Sequence, residues 1–257
     1  MKLFFRRLGE GPPLIILHGL LGASDNWLSI ARELAGSHTI FLPDLRNHGR
    51  SPHSREFGYE AMAMDVNEFL LDHGLRDVIL AGHSMGGKVA MNLALDYPHK
   101  IKKLIVADIA PKPYPLPYFA NIIRTLMSVD LGGVKSRAEA ERMISGEIPE
   151  KGVRSFLLKN LARDRHGGFT WKVNLPALYE NAEAIAGEIQ RPGTYPHPAL
   201  FLRGGNSNYI TGADFPLIKA KFPQAQILAV PGAGHWIHAD APEQVLEMFR
   251  EFIMRRT

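Results

Sequence analysis

The sequence predicts an α/β fold: a doubly wound, mostly parallel sheet with an inserted helical cap. Short apolar runs recur along the chain, and stretches with the apolar period of a helix lie between them. One long stretch, in contrast, contains no run typical of a buried strand. Strands that alternate with helices are typical of a parallel sheet covered on both faces. The long stretch without strands indicates an insertion into that sheet.

Six apolar runs have the length and composition of buried strands. They are continuously apolar and do not alternate with polar residues, so we expect parallel strands covered by helices on both faces. The N-terminal segment, residues 1–7, has a short apolar run followed by two arginines, which fits an edge strand better than a secretory signal. The six runs are residues 14–17, 39–42, 78–81, 104–107, 199–202 and 227–230.

Amphipathic helices are predicted between these strands. Apolar residues recur at helical spacing over 27–34 and over 62–70, and Gly74 is a stop signal for the second helix. Near the C-terminus, Asp240 is expected to cap a helix that has Pro242 in its first turn.

Residues 111–190 interrupt the alternation. They begin with a proline-rich segment and continue with helical patterns. An insertion of about 80 residues is longer than a plain crossover between two strands requires. We therefore predict that residues 1–110 and 191–257 form the core and that residues 111–190 form a helical cap.

Composition and charge exclude several classes of protein. The chain has 257 residues, 46% of them hydrophobic and 22% charged, with a net charge of +4 and no cysteine. A chain of this size can bury a large core, and the lack of cysteine excludes disulfides and a thiolate nucleophile. Because the charges are dispersed and no apolar run could span a bilayer, we expect no nucleic-acid partner, no membrane partner and a cytoplasmic location. No pattern marks a subunit interface.

The segment Gly82-His83-Ser84-Met85-Gly86 directly follows a predicted strand and precedes a helical run. Strand, Gly-x-Ser-x-Gly and helix in this order are typical of a nucleophile elbow. Such a turn holds the serine hydroxyl above the sheet edge, near the positive end of the helix. The alternative is a glycine-rich turn whose serine caps a helix. We predict Ser84 as the catalytic nucleophile.

Two further loops follow predicted strands. In His18-Gly19-Leu20 the backbone N–H of Leu20 is expected to form an oxyanion hole with that of Met85, while His18 itself has a structural role.

In the second loop, Gly234-His235-Trp236, we predict His235 as the base that removes the serine proton. His238 lies three residues after His235, but because the sequence offers no third metal ligand beside them we predict no metal site.

These motifs, together with the turn from Asp44 to Ser51, resemble the α/β-hydrolase superfamily in the same order along essentially the whole chain. The segment from Asp108 to Pro111 and the later Gly-Gly-Asn-Ser resemble a branch of small bacterial esterases and acyl-thioesterases. The resemblance implies a serine hydrolase that needs no cofactor. It also implies that Asp44 and Arg46 shape the sheet edge.

The sequence indicates the acidic residue that would pair with His235 less directly. Most relatives have an aspartate on the loop after the next-to-last strand, where this chain has Asn208. An amide cannot stabilise an imidazolium as a carboxylate does. Some members of the superfamily take their acid from the position of Asp108, so the resemblance implies Asp108 here. Two alternatives stay open: Asp108 caps the turn into the cap, or Asp214 is the acid.

The expected activity is hydrolysis of carboxylic esters or thioesters with short to medium acyl chains, through an acyl-enzyme. Tyr118 and Trp171 in the cap, together with Trp236, are predicted to line the acyl pocket. The alternative for these aromatic residues is that they only pack the cap onto the core. Alternative functions are carbon–carbon bond hydrolysis or cofactor-free perhydrolysis with the same triad, and a non-catalytic receptor for a small molecule.

Overall fold

The computed structural model describes residues 1–255. Seven of the strands in this range form one sheet in the order β1-β3-β2-β4-β5-β8-β9, in which β1 alone is antiparallel to its neighbour. The predicted mostly parallel, doubly wound sheet is thereby confirmed. The strands are β1 (Phe5–Leu8), β2 (Pro13–Leu17), β3 (Thr39–Pro43), β4 (Val78–His83), β5 (Ile101–Ala107), β6 (Leu161–Arg163), β7 (Phe169–Trp171), β8 (Ala199–Gly204) and β9 (Ala225–Val230).

Strand β2 shows why the central runs are apolar throughout. Ile15 and Leu17 belong to the core on one face of the sheet, whereas Leu14 and Ile16 belong to the core on the other face. Strand β9 differs from the expectation of full coverage because it is an edge strand, and its Leu228 is exposed. The N-terminal segment supplies the opposite edge as β1, in agreement with its prediction.

Helices cover both faces of the sheet. The α-helices are α1 (Leu28–Leu34), α2 (Tyr59–Asp72), α3 (Met85–Asp96), α4 (Leu116–Met127), α5 (Arg137–Ile144), α6 (Lys151–Leu157), α7 (Leu175–Glu180), α8 (Ala182–Ala186), α9 (Phe215–Lys221), α10 (Ile237–Asp240) and α11 (Pro242–Met254). The predicted cap of the last helix is wrong. Asp240 ends α10, and its carboxylate accepts a hydrogen bond from the Gly234 N–H at 2.8 Å, while α11 begins without a side-chain cap.

The segment between β5 and β8 contains helices α4 to α8 and also an antiparallel hairpin formed by β6 and β7. The hairpin departs from the expectation of helices alone. Each of its strands has three residues, which is too short for a recognisable apolar run. Hydrogen bonds join this segment to the core, including one from the Tyr59 hydroxyl to the carbonyl of Ile185 at 2.6 Å. Its division from the core at residues 111 and 190 stays a prediction.

The loop after β3 is held by carboxylates. Asp44 accepts hydrogen bonds from the backbone N–H of Ser24 and of Arg50, and the Arg46 guanidinium pairs with Asp65 through two nitrogens at 2.6 and 2.9 Å. Ser24, Asp44, Arg46 and Asp65 are buried, so these contacts stabilise the sheet edge beside the site described below. Within residues 1–255, no helix has both the length and the apolar character needed to cross a bilayer.

Candidate active site

Ser84 lies in a sharp turn between β4 and α3, with φ +51° and ψ −118°. Glycine is needed on both sides of it because backbone atoms approach closely there. A Cβ on Gly82 would lie 2.2 Å from the Gly86 carbonyl oxygen, and a Cβ on Gly86 would lie 2.5 Å from that of His18. The turn therefore has the strained geometry of a nucleophile elbow.

The structure brings Ser84, His235 and Asp108 together. Ser84 Oγ lies 3.0 Å from His235 Nε2, and His235 Nδ1 lies 2.8 Å from Asp108 Oδ2. A carboxylate can only accept, so the Nδ1–H of His235 donates to it and Nε2 keeps a lone pair directed at the serine. The three side chains come from the ends of β4, β9 and β5, which meet at the carboxyl edge of the sheet. This arrangement can remove a proton from the serine hydroxyl.

Asp108 is fully buried, and each of its oxygens has a donor besides the histidine. Oδ1 accepts from the Gly204 N–H at 2.9 Å, and Oδ2 accepts from the Ser207 hydroxyl. Such donors hold the carboxyl group in one orientation.

The other two candidates for the acid are placed elsewhere. Asp214 pairs with the Lys112 ammonium at 2.7 Å and accepts from the backbone N–H of Thr211 at 2.7 Å. Asn208 lines the cavity above the serine, and no hydrogen bond joins its side chain to His235 among the described residues.

Buried histidines hold the loops around the serine. The Nδ1–H of His18 donates to the Gly19 carbonyl at 2.8 Å, and its Nε2 accepts from the Leu45 N–H at 2.9 Å. His48 Nε2 accepts from the Leu21 N–H at 3.1 Å. Burial lowers the pKa of His18, and it lowers the pKa of His48 to about 3. Both rings are therefore neutral near pH 7 and can accept these backbone bonds.

The backbone segments that carry Leu20 and Met85 lie beside Ser84. Met85 is the first residue of α3, so its N–H has no acceptor within the helix. Leu20 follows Gly19, where an added Cβ would lie 3.4 Å from the Cβ of Ser84. Both N–H groups thus belong to backbone segments that pack against Ser84.

A cavity of about 430 Å³ opens above Ser84. Tyr118 from α4 and Trp236 beside the histidine are among its lining residues, and their contact with an acyl chain stays a prediction. Trp171 is not, which corrects that part of the prediction. It lies in the hairpin opposite Leu161 and packs against the hydrophobic core. The other aromatic residues lining the cavity are Trp27, His83, Tyr114, Phe119, Phe156, Tyr209, His235 and His238.

Comparison with known proteins agrees with this geometry. A family model for the alpha/beta hydrolase fold matches residues 12–242. The chain belongs to the alpha/beta hydrolase family. This confirms the resemblance seen in the sequence motifs.

Relatives of this alpha/beta hydrolase include esterases and a lipase. The chain is 38% identical over 249 residues to the mouse sn-1-specific diacylglycerol lipase ABHD11, covering 94% of this chain and 81% of the relative. It is 36% identical over 241 residues to Esterase YbfF of Escherichia coli, covering 94% and 92%. A solved structure named marine microorganism esterase superposes with a TM-score of 0.95 and 46% identity, covering 98% of this chain and 99% of the other. The predicted class, a hydrolase of esters, is thereby confirmed.

Three residues of this hydrolase's site escaped the sequence reasoning. The Nε2–H of His83 donates to the backbone carbonyl of His235 at 2.8 Å, Ser207 donates to Asp108, and the Tyr209 ring lies flat against His235. His83 precedes Ser84 within the elbow motif, so its position was a usable signal. Ser207 and Tyr209 follow strand β8, and their roles depend on which neighbouring loop they meet.

Proposed function

We propose that Ser84, His235 and Asp108 are the catalytic triad of this ester hydrolase, and that its substrates are carboxylic esters or thioesters with short to medium acyl chains. One observation carries the proposal. An unbroken series of hydrogen bonds runs from a buried carboxylate through an imidazole to a serine hydroxyl at the floor of a largely apolar cavity.

Acylation follows from these positions. Ser84 Oγ attacks the carbonyl carbon while His235 Nε2 takes its proton, and the carbonyl oxygen becomes an oxyanion. The backbone N–H groups of Leu20 and Met85 are the proposed donors to that oxyanion. The bond to the leaving group then breaks, and His235 returns the proton to the departing alkoxide or thiolate.

Deacylation repeats the sequence with water. His235 takes a proton from the water that attacks the acyl-enzyme, the second oxyanion collapses, and the serine oxygen leaves with that proton. A carboxylic acid is released and Ser84 is restored. In both halves of the reaction His235 becomes an imidazolium, which the carboxylate of Asp108 stabilises.

The cavity supports the proposed acyl-chain range. Its apolar lining suits a hydrocarbon chain, and its volume of about 430 Å³ lies within the usual size of small-molecule sites. Tyr118 from the cap and Trp236 from the core are the proposed substrate contacts. Because the mouse relative is named a diacylglycerol lipase, glycerides belong in the substrate panel beside simple esters.

The first experiment is hydrolysis of p-nitrophenyl esters from acetate to decanoate, of the matching thioesters and of diacylglycerols. Ser84→Ala is the control, since it removes the nucleophile and leaves the cavity intact. We expect turnover that Ser84→Ala abolishes, with a chain-length optimum below decanoate. Absence of turnover by folded protein, or turnover that survives Ser84→Ala, would contradict the proposal.

A small-molecule ester is the proposed partner, and a cytoplasmic location follows from the sequence prediction alone. Cell fractionation with an antibody to the chain tests the location, and recovery in a membrane fraction would contradict it.

A further inference from the structure

We propose that Tyr209 is a positioning residue for His235, holding the imidazole plane by flat stacking and favouring the imidazolium that forms in each step. The inference rests on the proposed triad. It adds a residue that contacts the face of the histidine, whereas Ser84 and Asp108 contact its edges.

The geometry of the stack is close and nearly parallel. The ring centroids of Tyr209 and His235 lie 3.6 Å apart, with 17° between the planes. The hydrogen bonds at Nδ1 and Nε2 act at the two ends of the imidazole and leave the ring free to tip about the line that joins them. A flat neighbour on one face opposes that motion. Tyr209 thus restricts the one rotation that the triad's own hydrogen bonds leave open.

Tyr209 is itself held firmly. The Tyr114 hydroxyl donates to the Tyr209 carbonyl at 2.8 Å and accepts from the Ala110 N–H at 2.8 Å. The two tyrosine rings also stack, with centroids 5.1 Å apart. The Tyr209 N–H donates to the hydroxyl of Ser207, which in turn donates to the triad carboxylate. The stacking ring is therefore tied to the same loop that orients Asp108.

The electrostatics favour a cation beneath this ring. The face of a tyrosine ring is negative and attracts a cation placed over it, most strongly where the site is desolvated. Burial raises the pKa of Tyr209, so its ring stays an uncharged phenol. Two other imidazoles lie near His235, those of His83 and His238, and burial lowers the pKa of both. Asp108 is the charged group in direct contact with His235.

The loop that carries Tyr209 adds a reason to assign it this role. Asn208, its neighbour, occupies the position at which most relatives supply the triad acid, according to the sequence resemblance. In this chain the same loop still meets the histidine, but it presents an aromatic face, and the carboxylate comes from the end of β5.

The test compares Tyr209→Leu with Tyr209→Phe, using kcat and KM for p-nitrophenyl butyrate. Leucine keeps the bulk and removes the ring, so we expect kcat to fall roughly tenfold with KM changed less than about twofold. Phenylalanine keeps the stack, so we expect both constants within about twofold of the wild type. Tyr118→Leu is the matched control, because it changes a cavity tyrosine away from the imidazole and is expected to raise KM more than it lowers kcat.

Two results would overturn the inference: an unchanged kcat in Tyr209→Leu, or an equal loss of kcat in Tyr209→Phe. If thermal unfolding shows that Tyr209→Leu does not fold, Tyr114→Phe replaces it, since it removes the bond that holds the Tyr209 carbonyl. That variant is expected to lower kcat about threefold, and an unchanged kcat would equally overturn the inference. If the wild type shows no turnover that depends on Ser84, the proposed function is refuted. If the wild type turns over normally and kcat is unchanged in Tyr209→Leu, this inference alone is refuted.

Discussion

Asp108→Asn is expected to lower kcat/KM for p-nitrophenyl butyrate by about 10⁴-fold, because the amide disturbs the imidazole tautomer. In the wild type Oδ2 accepts from both His235 Nδ1–H and the Ser207 hydroxyl, and Oδ1 accepts from the Gly204 N–H. An asparagine side chain has only one oxygen, so it cannot accept both from the Gly204 N–H and from the donors that meet Oδ2. If that oxygen stays at Gly204, the NH₂ group faces Nδ1 and selects the ring form whose proton lies on Nε2, toward the serine.

The magnitude follows from that tautomer. A loss of about 10⁴ corresponds to about 5 kcal/mol of transition-state stabilisation. The substitution is also suitable because the backbone at Asp108 has φ +49°, a conformation that asparagine adopts readily and alanine does not. The loss is therefore expected without unfolding, which thermal melting followed by circular dichroism verifies.

The matched control for this experiment is Asn208→Ala. Asn208 lies in the cavity wall but has no bond to the imidazole, so we expect kcat/KM to change less than about threefold. Equal losses in the two folded variants would refute the assignment of Asp108. So would an Asp108→Asn enzyme that keeps a tenth or more of the wild-type activity.

Three further predictions concern groups around the site. Ser207→Ala removes a donor to the Asp108 carboxylate and should lower kcat roughly tenfold at constant KM; a change in KM alone would contradict it. Trp236→Ala should raise KM for p-nitrophenyl hexanoate severalfold by enlarging the cavity, whereas Trp171→Ala should change KM less than twofold. Equal effects of the two substitutions on KM would contradict the placement of these residues. Burial lowers the pKa of Lys88 to about 7, so above pH 7 this lysine loses its proton in the folded protein but keeps it in the unfolded chain. The free energy of unfolding should therefore rise by up to about 1.4 kcal/mol per pH unit above pH 7. Lys88→Met should remove this rise in urea unfolding at pH 7 to 9.5, and the same slope in both proteins would refute it.

Local pattern determined much of the fold. The central strands are continuously apolar because neighbouring side chains enter the cores on opposite faces of the sheet, as in β2. An apolar run of this kind can be recognised within a window of five residues. The elbow is local in part, since Gly82 is required by a contact with Gly86 within the turn, whereas Gly86 is required by the loop at His18, which is remote in sequence. The exposure of β9 could not be read in this way, because edge and central strands differ in what lies beside them.

The site depended on contacts between distant parts of the chain. Ser84 and His235 are separated by 151 residues, and Asp108 and His235 by 127. The sequence supplied three residues of suitable chemistry after predicted strands. Because the carboxyl ends of parallel strands lie at one edge of the sheet, these residues were expected to lie close together. It left Asp108 and Asp214 as alternatives because both are acids near strand ends.

The tertiary structure decided which groups meet. Strands β5 and β8 are neighbours in the sheet, so the loop after β8 lies beside Asp108, and this places Ser207 on the carboxylate and Tyr209 on the imidazole face. Trp171 lies on a hairpin too short to detect and is not among the residues that line the cavity. Residue types and periodicity thus determined the fold class and singled out Ser84 and His235 as the proposed nucleophile and base. Strand order and loop packing determined the contact of Asp108 with His235, the other partners of Asp108 and the lining of the cavity, because those contacts depend on spatial neighbours that are remote in sequence.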